Sequence, residues 1–190
     1  MHVFQRSGRG LFGALALVFA LLLTPWLAPP AAAAGDDDDV DRTKVWTKVT
    51  PAGEVVVMGR IKASAATVRE FLVDAERAHS LASTTQQVRA TRDGDCQKVK
   101  LSTRGIASPL LVETRRCPTI NGFTEVMLSS TDFLEYRNEW TIQQVGDYVL
   151  LTYVTRTVPD IAIPESIINS QARRVLAKVM QRLAVAVGDG

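Results

Sequence analysis

Histidine is almost missing from this 190-residue chain: there are two, and one of them, His2, stands at the N-terminus. Cysteine is as scarce, represented only by Cys96 and Cys117. A zinc site takes three or four His, Cys or carboxylate ligands, and a Ser-His-Asp triad takes a histidine held as base, so both chemistries lack raw material. His79 falls in the polar helical segment "DAERAHSLAS" and reads as a solvated surface residue rather than a catalytic one. There is no Cys-x-x-Cys pair to support a redox role. No glycine-rich phosphate loop follows a strand either, since "GRG" at Gly8 to Gly10 lies in an N-terminal leader. We therefore expect no catalytic residue, no metal and no cofactor. Acid/base work by a buried carboxylate or tyrosine stays open.

An excess of either charge is also missing, once the leader is set aside. Arg6 and Arg9 precede an apolar run from Leu11 to Leu23, and small residues follow at Ala31 to Ala34. This is the pattern of a secretory signal peptide cleaved after Ala34 or a neighbouring alanine. An uncleaved anchor is the competing reading, but the run is shorter than the ~20 residues a bilayer span needs, and Pro25, Pro29 and Pro30 follow it. No Cys sits near the junction to carry a lipid, and "QRSGRG" lacks the adjacent arginines of a twin-arginine signal. Export by the general route, to the periplasm or outside the cell, is the expectation. Without Arg6 and Arg9 the 22 basic and 20 acidic residues balance, and no nucleic-acid partner is expected.

The boundaries that follow are a signal peptide at 1–34, an acidic leader at 35–44 and one domain at 45–190. "GDDDDVDR" buries nothing and repels itself, which suits a solvated, disordered leader; it lacks the spacing and distal Glu of a calcium loop. About 150 residues then remain, enough for one core. There is no internal repeat.

What the chain has is alternation. "DCQKVKLSTRG" and "SPLLVETRRCP" read as two arms of a hairpin turning near Gly105 to Ser108. Folding them together sets Cys96 opposite Cys117 and, in the same register, Lys100 opposite Glu113. An oxidising compartment favours a disulfide there, and closing a loop of about 20 residues stabilises by roughly 3 kcal/mol. Val99, Leu101, Val112 and Thr114 take the other face, toward the core.

Before this hairpin, "KVWTKVT" and "EVVVMGRIKAS" read as strands joined by a turn at Pro51 to Gly53; Ser64 and Asp74 can each cap a short helix. The hairpin belongs to a meander of antiparallel segments, from "QQVRATRD" to "DYVLLTYVTRTV", with turns at Asp93 to Asp95, Asn121 to Gly122 and Val145 to Asp147. In the last two segments Leu134, Tyr136, Asn138, Trp140 and Ile142 alternate with Phe133, Glu135, Arg137, Glu139 and Thr141, so the first set faces in. Pairing through Gly146 adds Val149, Leu151, Tyr153 and Thr155 to that inner face.

One long helix ends the chain. Its stripe of Ile167, Ile168, Ala172, Val175, Leu176, Val179, Met180, Leu183, Ala184 and Val187 must be buried, while Arg173, Arg174, Lys178 and Arg182 take the other side. Filling the core is the plain role for such a stripe. A curved sheet is nonetheless wider than one helix about 10 Å across, and the space left over would be apolar.

Two strands, a helix pair, six antiparallel strands and a closing helix, in that order, resemble the helix-grip START domains and their polyketide cyclase relatives. The likeness is carried best by "GRIKASAATVREFLVDAERAHSLAS" and "VPDIAIPESIINSQARRVLAKVMQRL". It implies an α+β fold in which a curved antiparallel sheet of about seven or eight strands wraps a long C-terminal helix. It also implies one lipid or other hydrophobic small molecule bound between helix and sheet by a monomer. Tyr136, Asn138, Tyr153 and Thr155 would supply polar tips, though each could equally be a satisfied core group; Trp140, Leu151, Ile168, Ala172, Val175, Leu176, Val179 and Met180 would supply the apolar lining. "RGIASPLL" sits where such domains carry a mobile loop, so Ile106 and Leu110 could gate the cavity and touch a membrane transiently; an ordinary turn is the plainer reading. A cyclase using an inward tyrosine or Glu125 is the rival from the enzyme class, and a binder of protein segments along a strand edge is a third.

Overall fold

In the computed structural model residues 44–105, 108–160 and 162–188 are described. The expected signal peptide, nearly all of the acidic leader and the proposed gate residue Ile106 lie outside them. The order is β1 (Lys44–Val49), β2 (Val55–Ile61), α1 (Ala65–Val73), α2 (Ala75–Ser80), β3 (Thr85–Asp93), β4 (Cys96–Thr103), β5 (Leu110–Thr119), β6 (Gly122–Ser130), β7 (Phe133–Val145), β8 (Tyr148–Pro159) and α3 (Glu165–Gly188). The strands form one curved sheet in the order β1-β2-β8-β7-β6-β5-β4-β3. Every neighbouring pair is antiparallel. This is the α+β helix-grip arrangement expected.

Local chemistry sets the elements. The Ser64 hydroxyl accepts from the Thr67 amide and caps α1, and the Asp74 carboxylate accepts from the Arg77 amide and caps α2. Gly146 takes a φ of +60° in the turn between β7 and β8, a conformation other residues seldom adopt. The β4–β5 register places Lys100 opposite Glu113, and a disulfide joins Cys96 to Cys117. Val99, Leu101, Val112 and Thr114 are buried on the opposite face.

Two expectations about facing are corrected. Leu134 is 64% exposed and Phe133 is 7% exposed, the reverse of the alternation. The β7–β8 register shifts between Phe133 and Glu135, and that irregularity turns Leu134 out before the inward set resumes at Tyr136. In α3, Ile167 is 59% exposed rather than buried. Only the C-terminal part of the stripe, Val179, Met180, Leu183 and Val187, is fully covered; Ile168, Ala172, Val175 and Leu176 are half-buried.

The direction of α3 explains this. Its first turn stands by the β1–β2 turn, where the Arg156 guanidinium meets Glu165 at 3.1 Å and also donates to the Ala52 carbonyl. Met180 lies against Gly59, and Gly188 comes near the Lys62 carbonyl. The helix thus runs along β2, packing on β1, β2 and α1. Near its C-terminal end the Arg182 guanidinium donates to the Leu81 carbonyl just past α2. Among the described residues no helix is long and apolar enough to cross a membrane.

Candidate functional site

The pairings of β5 with β6, β6 with β7 and β7 with β8 set Arg116 opposite Glu125, Glu125 opposite Asn138, and Asn138 opposite Thr155. All four side chains are buried. A polar row therefore crosses four adjacent strands of an otherwise apolar inner face. On one side lies the main core, with Phe123, Trp140, Ile142, Leu151 and Tyr153; on the other lies a smaller cluster of Leu101, Val112 and Phe133, flanked by Met127 and Tyr136.

The helix corner α1–α2 covers one end of the row. An Arg116 Nη2 donates to the Leu72 carbonyl at 2.5 Å, its guanidinium lies 4.7 Å from the Phe123 ring, and Nη1 stands 4.0 Å from Glu125. Gln97 donates to the Val73 carbonyl and accepts from the Ala75 amide, fastening the same corner. His79 Nε2 is 3.1 Å from both Glu125 carboxylate oxygens, and the Thr114 hydroxyl donates to Glu125 at 2.6 Å. The expectation of a solvated His79 is thus corrected: its side chain is mostly buried, aimed inward from α2 at a carboxylate.

Burial, the largest influence on Glu125, opposes its ionisation, but His79, Arg116 and Thr114 together outweigh it and hold the carboxyl down to about 2. Burial also lowers the pKa of Arg116, with Glu125 pulling the other way. For Tyr136 and Tyr153 burial raises the phenol pKa well above its ordinary value, reinforced by Glu125, so both hydroxyls stay protonated.

The other end of the row is less complete. The Thr155 hydroxyl donates to Asn138 Oδ1 at 2.7 Å, while Asn138 Nδ2 has no partner; Arg116 Nε is also buried without one. Thr155 is opposite Val55, the first residue of β2, so this end lies level with the opening half of α3. Of the predicted contacts, Asn138 and Thr155 are joined by a hydrogen bond across β7 and β8, while Val175 and Leu176 are half-buried on α3. Trp140 and Tyr153 instead stack in the main core with ring centroids 4.2 Å apart, and Leu151, Val179 and Met180 are fully packed core residues. Leu110, half-buried, packs on the smaller cluster. Three open clefts, of about 610, 530 and 490 Å³, lie elsewhere on the surface and are lined by none of the predicted ligand contacts. Arg116 was missed from the sequence, although it shares strand parity with Val112 and Thr114.

Among the described residues no group of three His, Cys, Asp or Glu side chains could hold a metal ion.

No protein-family model matches this sequence, and no curated protein does. Solved structures do. A START superfamily protein from Mycobacterium smegmatis superposes with a TM-score of 0.63 at 17% identity, over 72% of this chain and 97% of that one. The fold is START-like. A STAR-related lipid transfer protein from Xanthomonas axonopodis matches with a TM-score of 0.52 at 17% identity, over 76% of this chain and 95% of that one. An aromatase/cyclase from Streptomyces sp. R1128 matches with a TM-score of 0.51 at 20% identity, over 70% and 87%. The START-like frame is thus shared by proteins named for lipid transfer and for catalysis.

Proposed function

We propose that this protein carries one lipid or other hydrophobic small molecule between the opening half of α3 and the inner face of the sheet. The observation that carries this reading is the meeting of two incomplete surfaces. The apolar side chains Ile168, Ala172, Val175 and Leu176 are only half-buried, and they lie level with a buried polar row that holds unpartnered donors. An apolar ligand would complete both. Covering about 200 Å² of apolar surface contributes about 5 kcal/mol, and a few polar groups fix its orientation. In the present conformation α3 sits close to the sheet, so entry requires its first half to lift while the packed second half holds.

The Cys96–Cys117 disulfide and the N-terminal leader support a periplasmic or secreted site of action. The carrier acts as a monomer that touches membranes transiently, and it turns nothing over. Native mass spectrometry of protein purified from its own host, followed by organic extraction, tests this. A mass excess lost on extraction is expected, and Val175→Arg should abolish it; wild-type protein at its bare chain mass would overturn the reading.

A second reading is favoured by one observation, the buried, ionised Glu125 flanked by His79 and Thr114. Held at about 2 it is too weak a base to take a proton readily near neutrality, but it could orient a substrate hydroxyl or stabilise developing positive charge in a cyclase or aromatase reaction. Turnover of a polyketide analogue, lost in Glu125→Gln, would establish it over the carrier.

A further inference from the structure

Two donors in the polar row, Arg116 Nε and Asn138 Nδ2, are buried with no protein partner. Both residues are almost wholly enclosed, at 2% and 1% exposure. An unpaired buried donor is unfavourable, and native folds leave few of them. Here two occur in one row of the sheet, on β5 and β7, with Glu125 on the strand between. Their spacing across two strand intervals is about 10 Å at the backbone, within the span of side chains pointing to the same face.

We infer that the ligand is an apolar molecule bearing a neutral carbonyl oxygen, which accepts from Asn138 Nδ2 in the polar row. This rests on the carrier reading and names the class of cargo. The donors call for an acceptor, and the charges around them decide which kind. Arg116 already faces the Glu125 carboxylate, 4.0 Å away, and Glu125 also receives His79 and Thr114. A carboxylate or phosphate on the ligand would bring a second negative charge next to Glu125 in a water-poor site, where like charges repel strongly. A ketone, ester, amide or quinone oxygen accepts the same hydrogen bonds without that repulsion. A pure hydrocarbon would leave both donors unpaired, as they are now.

Three fluorescent probes of nearly equal shape separate these cases: 1-acetylpyrene, 1-ethylpyrene and 1-pyrenecarboxylate, titrated into the purified full chain. Wild type should bind 1-acetylpyrene about tenfold or more tightly than either of the others, the gain of pairing a buried donor. In Asn138→Leu, which removes one donor at similar volume, the preference for 1-acetylpyrene over 1-ethylpyrene should fall to about threefold or less. The wild-type ranking is itself decisive should that variant fail to fold. Equal affinity for the acetyl and ethyl probes overturns the carbonyl assignment, as does tightest binding of the carboxylate. An undiminished preference in Asn138→Leu overturns the assignment to this row. Binding of none of the three removes the site itself, and the carrier reading with it, which sets that failure apart from the others.

Discussion

The two halves of α3 carry the same kind of apolar stripe and meet different surroundings. From Val179 to Val187 the stripe is sealed against β2 and its neighbours, with Leu183 wholly buried. From Ile168 to Leu176 equally apolar side chains stay half-buried over the level of the polar row. Helical periodicity shows which face of a helix is apolar; the surface beneath decides how much of that face is covered. Where the partner is Gly59, Val57 and Ile61, the helix can approach closely and the stripe becomes core. Toward its first turn the helix stands over the start of β2 and the β1–β2 turn, and there Ala172 and Leu176 touch the core only in part.

The contrast can be broken most directly in the packed half. Leu183→Ala should cost about 2–5 kcal/mol in chemical denaturation, as expected for a large-to-small change in a closed core. A loss below about 1 kcal/mol would mean that this half is no anchor.

The polar row offers a sharper, pH-dependent test. Glu125 is held at about 2 in the folded chain, below the roughly 4.3 of an unfolded glutamate. Because its folded value is depressed, its contribution is fully present above the unfolded value and is lost as pH falls through the interval toward 2. That contribution is about 3 kcal/mol. Unfolding followed between pH 6 and pH 2 should show this acid limb, and Glu125→Gln should flatten it. Hydrogen exchange on the acid side should rise sooner in residues 167–176 than in 179–187; simultaneous loosening would erase the distinction between the halves.

The smallest effect is expected in the opening half. Val175→Ala should change stability by less than about 1 kcal/mol, since a half-buried position gives up little on truncation. A cost as large as that of Leu183→Ala would show both halves to be the same kind of core.

Much of the frame was legible because it rests on local rules. The Cys96–Cys117 bridge and the Lys100–Glu113 pair followed from one hairpin register, and Ser64 and Asp74 are caps by residue type and position. Misplacements arose where distant partners decide. Leu134 turned outward because a register irregularity interrupts strand parity, and nothing in "DFLEYRN" signals it. His79 looked solvated because its partner, Glu125, lies on a strand far along the chain. Arg116 had a usable signal in its parity with Val112 and Thr114, but charge argued for water until Glu125 and the Leu72 carbonyl supplied a destination. Asn138 and Thr155 were correctly placed facing in, yet which of them would keep a free donor depended on a hydrogen bond between them.

The strand order has a consequence for how this protein comes into being. Val55 in β2 must find Thr155 in β8, about a hundred positions later, so the sheet cannot knit together until almost the whole polypeptide has emerged. A chain with such distant pairings folds late and slowly. That lag leaves the nascent β2 edge without its β8 partner, in need of shelter until the last strand is made.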